Sequence, residues 1–467
     1  MRNRFLSSVA AMAAGASLAW GQVPGTPPQG YGDGMLMPAG HQQAPLIPPQ
    51  MAPSEAALMG GGPGPEYPPP GNFQDMFNGG KGVPSLTSSF TGWPIVWGSV
   101  DYLLWTPKSA NINYPIATTG AAASGGILGN ASTGTIYPGD ANFGFGSGYR
   151  ITFGAFLGDD RRVGFEGSGY QMATQSKSYS ISSDGAGFPL IARPYVNAVG
   201  LAQSSYIVAA PNVASGTLGY KFDTSSFGVE GNWLLNIYRT CPGDDCGYGL
   251  NVNFIAGFRY AEIEEHLLIG STSTALQTPG AQPTPFVGTF QPGLTITTVN
   301  DSIRTDNQFY GGQVGIQTEI QNGRAFWRFD AKLAIGDMHE TADINGYSAL
   351  TRGTDVNATT STAIGGLYAN TNTIGRYRQD QFAIIPDFNL TFGYHLLKCC
   401  TVQVGYNFIY FNNVARPTDV VSPVINPAVI PTNAAFGTNL PVVPIGSRIQ
   451  QTDYYLQGLN FGVTFQY

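Results

Sequence analysis

Residues 250–260 read LNVNFIAGFRY: Leu250, Val252, Phe254, Ala256, Phe258 and Tyr260 fall on one side of an extended chain, and Asn251, Asn253 and Arg259 on the other. Successive side chains of a strand point to opposite faces, so this period of two marks a β-strand with one apolar face. The same alternation recurs nine times. Before it come Val100 to Leu104, Tyr149 to Leu157, Val163 with Phe165, and Phe227 to Ile237. After it come Tyr310 to Ile320, Trp327 to Ile335, Ile384 to Tyr394, Val402 to Tyr410, and Leu459 to the last residue, Tyr467. Ten segments of this kind predict an all-β chain.

The connections alternate between short and long. Short ones are 158–162, 238–248, the Gln321-Asn322-Gly323-Arg324 turn, and 395–400; long ones run over about 106–148, 173–220, 270–306, 336–380 and 412–451. Asn-Gly suits a tight hairpin because both residues tolerate positive φ. Short turns at one end and long loops at the other, with an even strand count, are the pattern of a transmembrane antiparallel up-and-down β-barrel. A secreted β-sandwich gives no reason for that asymmetry. About ten strands are expected, and twelve stay open because residues 262–269 and parts of the loops have strand-like patterning.

Composition agrees. Only 11% of the 467 residues are charged, with 62 Gly, 33 Pro and 12% aromatics, which suits strands and turns better than a soluble helical enzyme. A net charge of -7 argues against a nucleic-acid partner, since there is no basic excess to neutralise phosphate. Arg2 and Arg4 precede an uncharged apolar and small-residue run ending at Ala19 and Gly21, so residues 1–21 read as a signal peptide. That run is shorter than a membrane-spanning helix, and no later run exceeds it. In residues 22–92, 28 of 71 positions are Gly or Pro and five are charged, which predicts a disordered linker. Its five scattered methionines read as linker, not a copper site. Residues 93–467 form the predicted barrel.

A barrel strand turns its apolar face to lipid, so charged residues report the lumen. Asp101, Arg150, Glu166, Glu230, Arg259, Glu319, Arg328, Asp330, Lys332 and Asp387 all lie opposite the apolar series. Six acids and four bases predict an internally paired lumen charge network, in a barrel closer to the eight strands that side chains fill than to the sixteen that leave a pore. Trp97 and Trp105 share the inward face with Asp101.

Catalytic chemistry is not in evidence. The four histidines are scattered, no G-x-S-x-G motif occurs, and Gly144, Gly146 and Gly148 precede a strand where a phosphate loop needs a helix. Glu264-Glu265-His266 reads as a solvated strand end. No catalytic, cofactor or metal site is expected. Cys241 and Cys246 bracket a turn that can bring two thiols together in an oxidising compartment, while Cys399 and Cys400 stay reduced or pair elsewhere.

Six stretches carry a family resemblance: Trp97 to Pro107 (WGSVDYLLWTP), Ser147 to Phe156 (SGYRITFGAF), Gly257 to Glu265 (GFRYAEIEE), Thr305 to Gly315 (TDNQFYGGQVG), Gly405 to Pro417 (GYNFIYFNNVARP) and Gly458 to Tyr467 (GLNFGVTFQY). In these the chain resembles the planctomycete-type outer-membrane β-barrel proteins, a family of unknown function. The resemblance implies architecture and an outer-membrane location, and no catalytic residue or ligand. Members often carry Cys at the first short turn; here that turn is GDDRR at 158–162, so no disulfide pattern transfers. The expected role is structural or surface interaction through the long loops, with a narrow porin-like solute channel as the alternative. Expected partners are outer-membrane lipids and the barrel insertion machinery, which would read the C-terminal strand.

Overall fold

The computed structural model describes residues 93–110, 114–137, 141–158, 160–240, 248–278, 283–353, 358–420, 422–441 and 449–467. Residues 1–92, which hold the expected signal peptide and linker, and Cys241 and Cys246 lie outside the described residues.

Ten strands close into a ring. They are β1 (Val96–Pro107), β2 (Gly146–Leu157), β3 (Val163–Met172), β4 (Ala214–Arg239), β5 (Gly249–Ala275), β6 (Thr295–Asn322), β7 (Ala325–Arg352), β8 (Gly375–Leu397), β9 (Cys400–Ala415) and β10 (Gln451–Gln466). Each pairs antiparallel with its neighbours in sequence, and β10 returns to β1 with Trp97 opposite Gln466 and Trp105 opposite Gly458. Closure removes every edge, as a strand crossing lipid requires. The ring contains all ten segments expected from the alternation.

The outward series is exposed along its length: Trp233, Phe258, Val314, Trp327, Phe388 and Phe461 stand among many such residues. From Leu250 to Tyr260 the outward run matches the roughly 9–11 residues of a tilted crossing. Phe227, Tyr260 and Tyr310 end it in a row, with the two tyrosine rings 5.0 Å apart.

The expected long loops need correction, because much of them is strand. β4 to β7 run for 26, 27, 28 and 28 residues, against 12 for β1 and β2, and rise far past the apolar belt. Gln175–Ser182 continues the line of β3 along β4, and Thr359–Ile364 extends β7. These additions pair outside the ring, whose count stays at ten. Above the belt the inward face becomes apolar with Leu218, Phe222, Leu267, Ile269 and Val299, while Ser, Thr and Asn face outward. That inner face packs against a five-stranded sheet built from Ala117–Gly120, Thr133–Tyr137, Ile191–Asn197, Gln203–Ala209 and Val424–Ile425, drawn from three connections. Ile191, Tyr195, Val208 and Ile425 of this inner sheet are buried against the ring.

Candidate functional site

The structure turns all ten charged residues of the predicted lumen inward and joins most of them. Arg259 donates to Glu230 and to Asp387, both at 2.5 Å. Lys332 lies 2.5 Å from Glu230 and 3.4 Å from Asp387, so two cations and two carboxylates make a closed square. Asn407 donates to Asp387 and accepts from Arg150, which pairs with Asp101 at 3.1 Å. Arg328 holds Glu319 at 2.5 Å as a separate pair. Asp330 accepts from Asn389, and Glu166 accepts from the Trp97 indole at 3.1 Å. Trp97 fits because its partner across the strands is Gly154, where a Cβ would lie 2.2 Å from the ring. Gly462 makes room for Asp101 in the same way. Buried charges are costly unless paired or hydrogen-bonded; eight of the ten form ion pairs, and Glu166 and Asp330 are held by neutral donors instead.

One step further from the short-turn end, the lumen changes character. Leu103, Trp105, Phe309, Met338, Ile385 and Phe411 point inward from five different strands and pack into one buried cluster. This apolar layer crosses the barrel directly beyond the charge network, since Leu103 follows Asp101 by two positions and Ile385 precedes Asp387 by two. Cavities of about 30 and 70 Å³ remain below it, and one of about 40 Å³ lies between it and the charge network, lined by Trp105 and Phe411 as well as Arg259 and Asp387. Each holds a few waters at most. Charged positions do not mark this layer, but the sequence does where both faces turn apolar: Tyr102-Leu103-Leu104-Trp105, Phe382-Ala383-Ile384-Ile385 and Phe408-Ile409-Tyr410-Phe411.

Among known proteins, residues 97–467 match the family model described as "Putative beta barrel porin-7". The chain belongs to the beta barrel porin-7 family. It is thus an outer-membrane β-barrel protein. No curated protein matches it. Among solved structures it is similar to the outer membrane protease OmpT of Escherichia coli, with 7% identity, 82% of this chain and 100% of that chain covered, and a TM-score of 0.35. The toluene transporter TodX of P. putida gives 8% identity, 80% and 91% coverage, and a TM-score of 0.20. Neither likeness bears on the chemistry of this chain.

In this porin-7-family barrel two further buried ion pairs stand above the charge network, one tying the inner sheet to the ring and one tying the end of β9 to β5. Arg193 of the inner sheet reaches Asp301 on β6, both fully buried, and stacks over Tyr368. Arg416 embraces Glu265 through two bonds of 2.8 and 2.6 Å and donates to the Ser109 carbonyl. Glu265 is therefore a buried anchor, a correction to its reading as a solvated strand end. Its two neighbours, Glu264 and His266, do face outward, where Glu264 meets Arg304 and His266 meets Ser302. Asp306, beyond the aromatic row, is raised from 3.8 to about 6 by burial and by the adjacent Glu262 and Glu264 carboxylates. His395 sits at the end of β8, buried and bonded to Thr401, not in the turn itself. Cys399 and Cys400 are free thiols at the β8–β9 hairpin. No cluster of metal-ligating side chains occurs among the described residues.

Proposed function

We propose that this protein is a sealed outer-membrane barrel with a structural or surface-interaction role, displaying a folded β platform outside the cell. The observation that carries this reading is the stacking of two barriers: a charge network knit by ion pairs and hydrogen bonds and, directly beyond it, the apolar layer of Leu103, Trp105, Phe309, Met338, Ile385 and Phe411. A solute would have to separate buried ion pairs and then cross a dry layer, each costing several kcal/mol. The narrow solute channel is the weaker reading for that reason. On the same view the chain is not an enzyme and needs no cofactor. It is exported by residues 1–21 as a planctomycete-type surface protein, with lipids around its belt. The long-strand end faces outward, as in other outer-membrane barrels.

Planar-bilayer recording of the purified full chain tests this. Background conductance is expected, whereas discrete single-channel steps would establish the channel. Paired truncation of Phe309 and Phe411 to Ala is expected to raise the leak only modestly, because the charge network still closes the lumen below.

A further inference from the structure

The outer face of the strand extensions forms a groove of about 970 Å³. Its floor is a single cross-strand row in which Ser180, Gly219, Gly270, Asn300, Tyr347 and Ile364 pair in turn and share the outward side. Two glycines side by side leave the backbone bare and cut a trough. The Asn300 amide oxygen lies beside Gly270, 2.8 Å from where a Cβ there would stand. Tyr347 and Ile364, both exposed, make a rim on one side. The row above offers Thr217, Thr272 and Thr298, and the row below Leu268, Ser302 and Asn345.

We infer that this trough binds a neutral saccharide chain. Hydroxyl and amide side chains in three registered rows both donate and accept, which is what a sugar's hydroxyls require. A tyrosine at the rim presents an amphipathic ring to the C–H face of a pyranose. Lys221, the one cation among the described lining residues on this outer face, is bonded to Asp223 at 2.7 Å, so no net charge is on offer to an anion. Height excludes an acyl chain. The ten residues from Tyr260 to Gly270 rise roughly 25 Å at about 3.4 Å each and a tilt near 45°. A headgroup layer is only about 5–8 Å deep. The volume lies within the 300–1,000 Å³ typical of ligand sites.

This inference rests on the reading of the barrel as a surface protein, and it is tested separately from it. The full chain, refolded in a detergent without a sugar headgroup, is titrated with two probes: the neutral outer oligosaccharide of an outer-membrane glycolipid, freed of its acyl chains, phosphates and acidic sugars, and maltoheptaose as a free neutral glucan. Binding is followed by calorimetry and saturation-transfer NMR. The native protein is expected to take up at least one probe, with Asn300→Ala and Tyr347→Ser each weakening it tenfold or more and Gly270→Leu abolishing it. Uptake of the first probe alone assigns the source to the membrane's own glycolipid. Uptake of the second, or of both, assigns it to free polysaccharide or to saccharide in general. Should Gly270→Leu lose the heat-modifiable gel migration of a folded barrel, the other two variants decide. No uptake of either probe, or uptake indifferent to Asn300 and Tyr347, overturns the site. A barrel that is sealed but binds no sugar sinks only this inference, while one that conducts and binds sinks only the sealed-barrel reading.

Discussion

At the scale of single residues, the lumen is governed by the cost of an unpaired buried charge. Arg259 sits between Glu230 and Asp387, so Arg259→Leu leaves Lys332 alone to face two carboxylates. Breaking such an arrangement costs about 3–5 kcal/mol. The urea midpoint of the refolded barrel is expected to fall accordingly, and an unchanged midpoint would mean that the lumen is wide and wet. Outside the apolar belt the logic reverses at Asp306, where burial and the Glu262 and Glu264 carboxylates disfavour the ionised form. The folded state holds this proton up to about pH 6, while the unfolded chain releases it near 3.8. Asp306 therefore withdraws stability as pH rises across that window. Asp306→Asn is expected to match the native protein at pH 3.5 and to exceed it in urea midpoint at pH 6.5. Equal midpoints at both pH values would refute the role of this carboxyl.

Among the elements, β10 closes the barrel. The Tyr467 carbonyl accepts from the amides of Ile95 and Val96, and the Tyr467 amide donates to the Val96 carbonyl. Phe465 pairs with Gly98 on one side and Cys400 on the other. Removing residues 465–467 would leave β1 and β9 with unpaired backbone groups in lipid, at several kcal/mol each. This truncation is expected to block insertion, whereas deletion of residues 22–70 behind an intact signal peptide leaves it normal. Surface protease shaving of tagged loops checks both, and loops displayed by the truncated chain would show that β10 does not complete the barrel.

For the whole molecule, the membrane section and the external section have separate interiors. Below, polar groups pair across the lumen; above, the inner sheet packs its Ile191, Tyr195 and Val208 onto the ring. Arg193→Leu strips Asp301 of its cation inside the upper section alone. Local loosening is expected there: residues 183–213 become protease-sensitive, while the heat-modifiable migration of the barrel persists. Loss of both together would show that the two sections fold as one unit.

The alternation in residues 250–260 and its nine counterparts was enough to determine the strands, their order and the inward side, because a period of two leaves one lipid-facing and one lumen-facing set. Charge positions such as Arg259 and Asp387 were legible for the same reason. Their pairing was not, since residues 128 apart in sequence meet only once the ring closes. The strand extensions look like loops in the sequence because their outward Ser, Thr and Asn resemble turn chemistry, although Leu218, Tyr220 and Phe222 keep the period. The inner sheet with its Arg193 anchor, the Arg416–Glu265 pair and the outer trough belong to the tertiary structure alone. Each depends on register between strands distant along the chain, and one position of slip would turn Gly270 inward and Ser271 out.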